Sequence, residues 1–393
     1  MPWVGEKLKR LRLARGMSLD DLAAAMGGVV TKQAISKYEL GKSQPSPRVQ
    51  IGLAEALSIK ASYFWKKPEI KCELIAYRKK SHLPRKEQDR IEQLVCHLLE
   101  ERVCLQSLLN EEDSCSVPVR FFPVKNYEEI EEAAEDLRKD WGLGKDPIAD
   151  VTAVLEDHCI HVIEVKASKD FDGISAIARA GSKKVVAAAV VTRADGDGER
   201  MRLNLTHELG HLSLLPQRGI DEEKAAFRFG SAFLAPRELI LHAIGRSRSF
   251  IDMRELLILK KRLGMSVQAI IHRLHDLNII NSTHYKRWWI DLSRLGWRTR
   301  EPGELPRERP QWLERSVLRA LSEDVISREE GERLLGTAVN GAEPISLIQK
   351  KALMKLPLEE RRKLLREQAS KALSHYKEDN EWHELEGGDL VEK

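Results

Sequence analysis

The chain has 393 residues, 42% hydrophobic and 32% charged, with a formal net charge of +4. This suits a protein of two or three domains with a sizeable core and rules out a chain-wide field as the signal for nucleic acid. No segment has the unbroken apolar length of a membrane span, the N-terminus lacks the apolar stretch of a secretory signal, and Cys72, Cys96, Cys104, Cys115 and Cys159 show no C-x-x-C spacing. Free thiols and a cytoplasmic location are therefore expected.

Residues 1–67 read as a domain of short helices. Val4, Leu8 and Leu11 form one apolar stripe, which ends at Arg15-Gly16. Ser18 is placed to cap a second helix, with Asp20 and Asp21 in its first turn, where the helix dipole favours acids. Gly27-Gly28 stops that helix and Thr31 opens a third, which Gly41 ends. Two short helices around a glycine turn are what a helix-turn-helix requires, and the second enters the major groove N-terminal end first. That end offers Thr31, Lys32, Gln33, Ser36 and Lys37, all able to reach phosphates or base edges, while Ala34, Ile35 and Tyr38 face inward. Lys7, Lys9, Arg10, Arg12, Arg15, Lys42 and Arg48 make the segment locally basic.

Through L-K-R-L-R-L-A-R-G-M-S-L-D-D-L-A, A-I-S-K-Y-E-L-G-K and P-S, residues 3–65 resemble an XRE-type helix-turn-helix of the phage-repressor family. The resemblance implies sequence-specific binding of operator DNA, usually as a homodimer on a palindrome, with base contacts at Thr31, Lys32, Gln33, Ser36 and Lys37.

Residues 68–116 are strongly charged, with a helical pattern from Arg85 to Leu109, and read as a helical connector ended by Glu111-Glu112-Asp113-Ser114. A third region, 117–280, changes character. Amphipathic helices are expected over Glu128–Trp141 and Pro147–His158. Three short strands follow, over Ile160–Val165, Gly173–Ala178 and Val185–Val191, then a helix over Arg202–Leu215.

That last helix contains N-L-T-H-E-L-G-H-L-S-L-L. His207 and His211 stand four residues apart, so two imidazoles lie one turn apart on one helix face, close enough to share an ion. Glu208 projects beside them, where a carboxylate can take a proton from water at that ion. Leu205, Leu209, Leu212 and Leu215 bury the back of the helix. A catalytic zinc site needs three protein ligands and an open position. Asp221, Glu222 and Glu223, at the start of the next helical pattern, each have the reach to supply the third. No histidine follows at the spacing of the long H-E-x-x-H-x-x-G-x-x-H pattern.

Roughly residues 120–280 resemble the ImmA/IrrE metallopeptidases. The resemblance runs through R-L-N-L-T-H-E-L-G-H-L-S-L-L at 202–215, E-K-A-A-F-R-F-G-S-A-F-L-A-P at 223–236, and D-G-I-S at 172–175. It implies Zn²⁺ held by His207, His211 and Glu223, with Glu222 the nearest competitor. It also implies Glu208 as the catalytic base, and cleavage of a peptide bond in a repressor-like regulatory protein. Phe227 and Gly230 stand where that family usually has asparagine and alanine.

Residues 281–336 form a helical, Trp-rich extension with Trp288, Trp289, Trp297 and Trp312, and with Pro302, Pro306 and Pro310 extending the chain. Residues 337–393 read as a linker, an amphipathic helix and an acidic tail. Within them L-P-L-E-E-R-R-K-L-L-R-E-Q-A-S-K-A-L-S-H-Y and W-H-E-L-E-G-G-D-L-V-E resemble the toxin-binding tail of small bacterial antitoxins, which implies a cognate toxin bound by residues 347–393.

The expected protein is thus mainly α and multidomain: an all-α helix-turn-helix domain, an α+β zincin-like domain with a small sheet, and a helical C-terminal region. The function expected is a DNA-binding transcriptional regulator with a zinc-dependent endopeptidase. The other reading is a non-enzymatic repressor or antitoxin that neutralises a toxin through its tail.

Overall fold

The computed structural model describes residues 2–64, 70–79, 83–111, 117–181, 184–338 and 362, so the toxin-binding tail expected over 347–393 lies outside the described residues but for Arg362. Residues 1–316 form one unit and 317–393 a second. The architecture is mainly helical, with an N-terminal helix-turn-helix, a small mixed sheet in the middle and helices after it.

Helices α1 (Pro2–Ala14), α2 (Leu19–Ala25), α3 (Lys32–Glu39) and α4 (Pro47–Ala56), with a 3-10 turn at Ala61–Phe64, enclose a core of Leu8, Leu11, Leu22, Ile35, Leu53, Leu57 and Phe64. The caps expected at Ser18 and Thr31 are present, and Ser46 adds one that was not expected. Ser18 and Asp21 close a reciprocal capping box, Thr31 accepts from the Ala34 N–H, and Ser46 accepts from that of Val49.

Strand β1 (Ile70–Lys79), inside the expected helical connector, was not foreseen. It precedes α5 (Arg85–Leu108) and is joined to it by a disulfide between Cys72 and Cys96. For Cys72 and Cys96 this corrects the expectation of free thiols: the unforeseen strand carries Cys72 against α5, bringing the two Cα atoms to 5.5 Å.

The first unit continues with β2 (Phe122–Val124), α6 (Tyr127–Asp140), α7 (Val151–Asp157), β3 (Ile160–Val165), β4 (Phe171–Ala180), β5 (Lys184–Arg193), α8 (Gly198–Ser213), β6 (Leu214–Pro216) and α9 (Glu222–Leu234). After them come α10 (Arg237–Ile244), α11 (Met253–Leu263), α12 (Val267–Asp276) and α13 (Ser282–Arg294). The main sheet has the order β1-β4-β5-β3, with β3 parallel to β5 and the other pairs antiparallel; β2 and β6 pair in parallel apart from it.

The strands alternate sides, as a period of two demands. Ile160, Val162, Ile177, Ala188 and Val190 face the core shared with α6–α13, while Ile163, Val165, Ile174, Ala176, Ala189 and Val191 face α5. Burial on both faces explains why these strands read as continuous apolar runs rather than as alternating ones.

Two ionic seams fix the frame. Arg10 pairs with Glu100 on α5, and buried Lys7 lies 4.0 Å from the same carboxylate, so α1 docks the helix-turn-helix onto α5. Arg12 turns inward to Glu39 at 2.6 Å and to the Met17 carbonyl at 2.8 Å. Three of the local cations therefore face protein. The second seam is residues 297–312, an extended strap whose acids cap helices far back in the chain. Glu301 accepts from the N–H groups of Val267 (2.7 Å) and Gln268 (3.1 Å) at the start of α12. Glu308 accepts from those of Val151 (3.0 Å) and Thr152 (2.8 Å) at the start of α7 and pairs with Arg202. Glu156 returns the arrangement, accepting from Gln311 and Trp312, each at 2.9 Å, where α14 (Trp312–Ser322) begins. Buried Lys260 lies between Glu199 (2.5 Å) and Glu301 (3.1 Å). Those two hydrogen bonds outweigh the opposing effect of burial and raise its pKa.

In the second unit, α15 (Arg328–Leu335) starts on a Ser327 cap and ends on Gly336 in the left-handed conformation. Among the described residues no helix is long and apolar enough to cross a membrane.

Candidate metal centre

His207 and His211 sit on consecutive turns of α8, and their Nε2 atoms lie 3.0 Å apart. Glu223, one residue into α9, brings Oε2 to 3.5 Å from His207 Nε2 and Oε1 to 3.4 Å from His211 Nε2. A tetrahedral ion with ligands about 2.1 Å away holds them about 3.4 Å from one another, so this spacing suits a small divalent cation. The donor set, two imidazole nitrogens and one carboxylate, is of the kind zinc takes. Among the described residues these three are the one group of acids, histidines and cysteines so arranged. Of the three acids at the start of α9, geometry brings in Glu223. Asp221 is the N-cap, accepting from the Lys224 N–H at 3.0 Å, and Glu222 lines a small cavity next to His211 without joining the cluster.

The close crossing of α8 and α9 makes this possible. A Cβ at Gly230 would stand 2.9 Å from the His207 backbone nitrogen and 3.0 Å from the Thr206 carbonyl carbon, so the glycine there lets α9 lie directly on the histidine turn. Phe227 lays its ring against His207, 4.2 Å between centroids. His207 is fully buried, whereas the Glu223 side chain keeps 54% of its surface, so the three groups open toward solvent on the Glu223 side.

Glu208, between the two histidines in sequence, meets β4. Ser175 Oγ donates to its Oε2 at 2.5 Å and lies 3.1 Å from its main-chain carbonyl, and a Cβ on Gly173 would collide with the carboxylate. Ser175 and Gly173 lie within the D-G-I-S stretch, but the sequence alone gave them no role. Their service to Glu208 appears only when β4 is laid beside α8.

Beside Phe227 lies an open cleft of about 850 Å³, lined among others by Leu203, Lys224, His272, Tyr285 and Trp289. His272 meets Asp276 at 3.3 Å, one turn on. That hydrogen bond and the Asp276 charge raise its pKa against the effect of burial. Burial opposes ionisation of Asp276, but His272 and the nearby Arg228 and Arg273 hold its carboxyl below the usual range. Trp289 stacks under Arg298, whose guanidinium is 5.5 Å from the ring centroid, and Trp288 is buried. His158 stacks on Trp141 and His161 lies buried against Trp312, both apart from the centre.

The DNA-reading residues named from the sequence fall on one helix end. Thr31, Lys32, Gln33 and Lys37 are exposed and Ser36 half-buried, with Ile35 beneath them in the core. Thr31 spends its hydroxyl on the α3 cap (3.3 Å), and Lys32 makes an exposed ion pair with Asp20 of α2 at 3.1 Å. Gln33 and Lys37 are both exposed on the same helix end.

Comparison with known families agrees with this division. Residues 8–64 match the helix-turn-helix family, and residues 189–275 match the IrrE N-terminal-like domain family. No curated protein matches the chain. The two regions identify this chain as an XRE-type helix-turn-helix fused to a peptidase-like domain of ImmA/IrrE type.

Proposed function

We propose that this DNA-binding regulator is a cytoplasmic, zinc-dependent endopeptidase whose substrate is a repressor-like regulatory protein. The observation that supports it best is the pairing of two functions on α8. Two imidazole nitrogens converge with the Glu223 carboxylate, and the carboxylate of the intervening Glu208 is held by Ser175. A helix kept only as scaffold has no use for an acid so fixed.

In this reading His207, His211 and Glu223 hold the metal. When bound, zinc supplies Lewis acidity, lowering the pKa of water and polarising a peptide carbonyl. Glu208 accepts the proton of the attacking water and delivers it to the leaving amine. The hydroxyl of Ser175 keeps the Glu208 carboxylate in one orientation between the two transfers. The 850 Å³ cleft beside Phe227, whose ring lies against His207, has room for substrate side chains. Residues 8–64 bring the activity to operator DNA, as a homodimer, through Thr31, Lys32, Gln33, Ser36 and Lys37.

The test compares wild type, Glu208→Gln and His211→Ala. Glu208→Gln is expected to retain one zinc per chain and the native circular dichroism while losing cleavage of a repressor substrate by at least about a hundred-fold, the range of a lost general base. His211→Ala is expected to lose the metal. Cleavage by Glu208→Gln at the wild-type rate would reject the mechanism.

A further inference from the structure

Strand β4 positions Glu208, and its outer edge is not open. Strand β1 lies along it in antiparallel register, setting Ala76 opposite Ser175 and Arg78 opposite Gly173, the two residues that position the Glu208 carboxylate. Ile75, at the irregular step between Leu74 and Ala76, lines a cavity of about 60 Å³ shared with Gly210, His211 and Glu222. The main chain of residues 74–78 thus runs past the candidate centre, where a peptide on its way to Glu208 would have to lie. An exposed strand edge presents unpaired N–H and C=O groups and accepts an extended peptide as an added strand. Here the chain has added its own.

Once the Cys72–Cys96 link to α5 is reduced, β1 is also the strand of the sheet most easily given up. Its pairing with β4 is interrupted twice, between Leu74 and Ala76 and between Arg78 and Lys79. From Ile70 to Ala76 its residues are exposed or half-buried, whereas β4 is fully buried from Phe171 to Ala178 and β5 from Val186 to Thr192. Ile70, Cys72, Leu74 and Ile75 bury only part of their surface against the two cores, so less apolar surface returns to water when β1 leaves than when β4 or β5 does.

Building on the peptidase reading above, we infer that β1 is a resident pseudo-substrate. The substrate is an extended peptide segment that pairs antiparallel with β4 across Gly173–Ala176. The chain's own residues 70–79 hold that place until they are displaced. Because β1 begins six residues after the end of the helix-turn-helix 3-10 turn, the blocking segment and the DNA-binding domain are neighbours in sequence.

The test uses the full zinc-loaded chain carrying Glu208→Gln, so that the probe is not consumed, with and without Glu73→Pro plus Leu74→Pro. Adjacent prolines remove a ladder donor whichever residue faces β4. A reductant in every sample releases the Cys72–Cys96 link. The probe is a fluorescein-labelled decapeptide with the sequence of residues 70–79, followed by anisotropy. Breaking the β1 ladder is expected to tighten its binding at least ten-fold. Equal affinity with and without the prolines overturns the inference.

Should the double variant not fold, native-state hydrogen exchange on the parent chain decides. β1 amides are expected to exchange at least ten-fold faster than those of β5, and equal protection overturns the inference. A wild-type Glu208 chain incubated with the decapeptide separates the two ideas. Tighter binding without cleavage rejects the peptidase reading and retains the groove; cleavage with equal affinity does the reverse.

Discussion

Among single residues, Glu208 shows how much of an acid's chemistry lies in its neighbours. A carboxylate on a helix beside two imidazoles would fold onto them as readily as away from them. A hydroxyl at 2.5 Å and a glycine with no Cβ settle its direction. His161 shows the reverse, a titratable ring with no chemistry to do. It is buried, and burial first and the charge of Arg102 second lower its pKa to about 3. Its Nε2 has no hydrogen-bond partner among the described residues. A histidine kept neutral when folded but titrating near its ordinary value of about 6.5 when unfolded makes the unfolded chain bind more protons throughout that interval. Its contribution is therefore complete above pH 6.5 and is lost as pH falls toward 3. At pH 4.5 the loss amounts to about 3 kcal/mol, from two units at about 1.4 kcal/mol each. His161→Phe, which keeps a ring against Trp312, is expected to flatten the fall in melting temperature between pH 7 and pH 4.5 in calorimetry. Parallel curves for the two proteins would show that His161 is not the group responsible.

At the scale of elements, α3 is aimed by its buried face. Ile35 is fully buried, which fixes the helix phase and turns Gln33 and Lys37 outward together. Replacing both with alanine is expected to weaken operator binding by roughly a hundred-fold, since a base contact contributes about 1–3 kcal/mol and a phosphate contact adds to it. Gel retardation on the operator measures this, and unchanged retardation would remove α3 from the reading role.

Helices α3 and α8 were legible in the sequence because caps, glycines and histidine spacing are all written within a dozen residues. From spacing alone the third candidate donor was a choice among Asp221, Glu222 and Glu223, and only the ImmA/IrrE resemblance pointed to Glu223. Successive residues on a helix differ by about 100° in direction, and the crossing of α8 and α9, with Gly230 at the contact, decides which of them turns toward the histidines. β1 was missed for a different reason. Ile70, Cys72, Leu74 and Ala76 do alternate with Lys71 and Glu73, but the pattern shifts at Ile75, where the pairing itself is irregular, and β4 lies about a hundred residues away. The disulfide was hidden with it.

For the molecule as a whole, the least legible feature was the strap over residues 297–312. It has no helical or strand period, and its value lies in acids that cap helices up to about 150 residues earlier. Glu308 is the most exacting case. It serves two backbone N–H groups and the Thr152 hydroxyl while compensating Arg202, whose side chain keeps only 7% of its surface. Removing one partner of a buried pair leaves a charge without compensation. Glu308→Ala is therefore expected to destabilise the protein by about 3–5 kcal/mol, measured by urea unfolding. A loss below about 1 kcal/mol would mean that water replaces the carboxylate at no cost, and that the strap merely lies on the surface.

The inward turn of Lys7, Arg10 and Arg12 has a consequence for the thermodynamics of DNA binding. Cations already neutralised by Glu100 and Glu39 release no counterions from a DNA duplex, so composition overstates the charge this domain can offer. Lys37, Lys42 and Arg48 remain exposed around α3, as does Lys32, whose solvent-exposed pair with Asp20 is weak enough to be exchanged for a phosphate. With a slope of about −0.9 per phosphate neutralised, four contacts give a logarithmic salt dependence of about −3.6 per protomer, against about −6.3 if the three inward cations also took part. Titrating operator affinity against potassium chloride distinguishes the two values. The shallower slope leaves a regulator that holds its site over a wider range of ionic strength than its basic N-terminal sequence suggests.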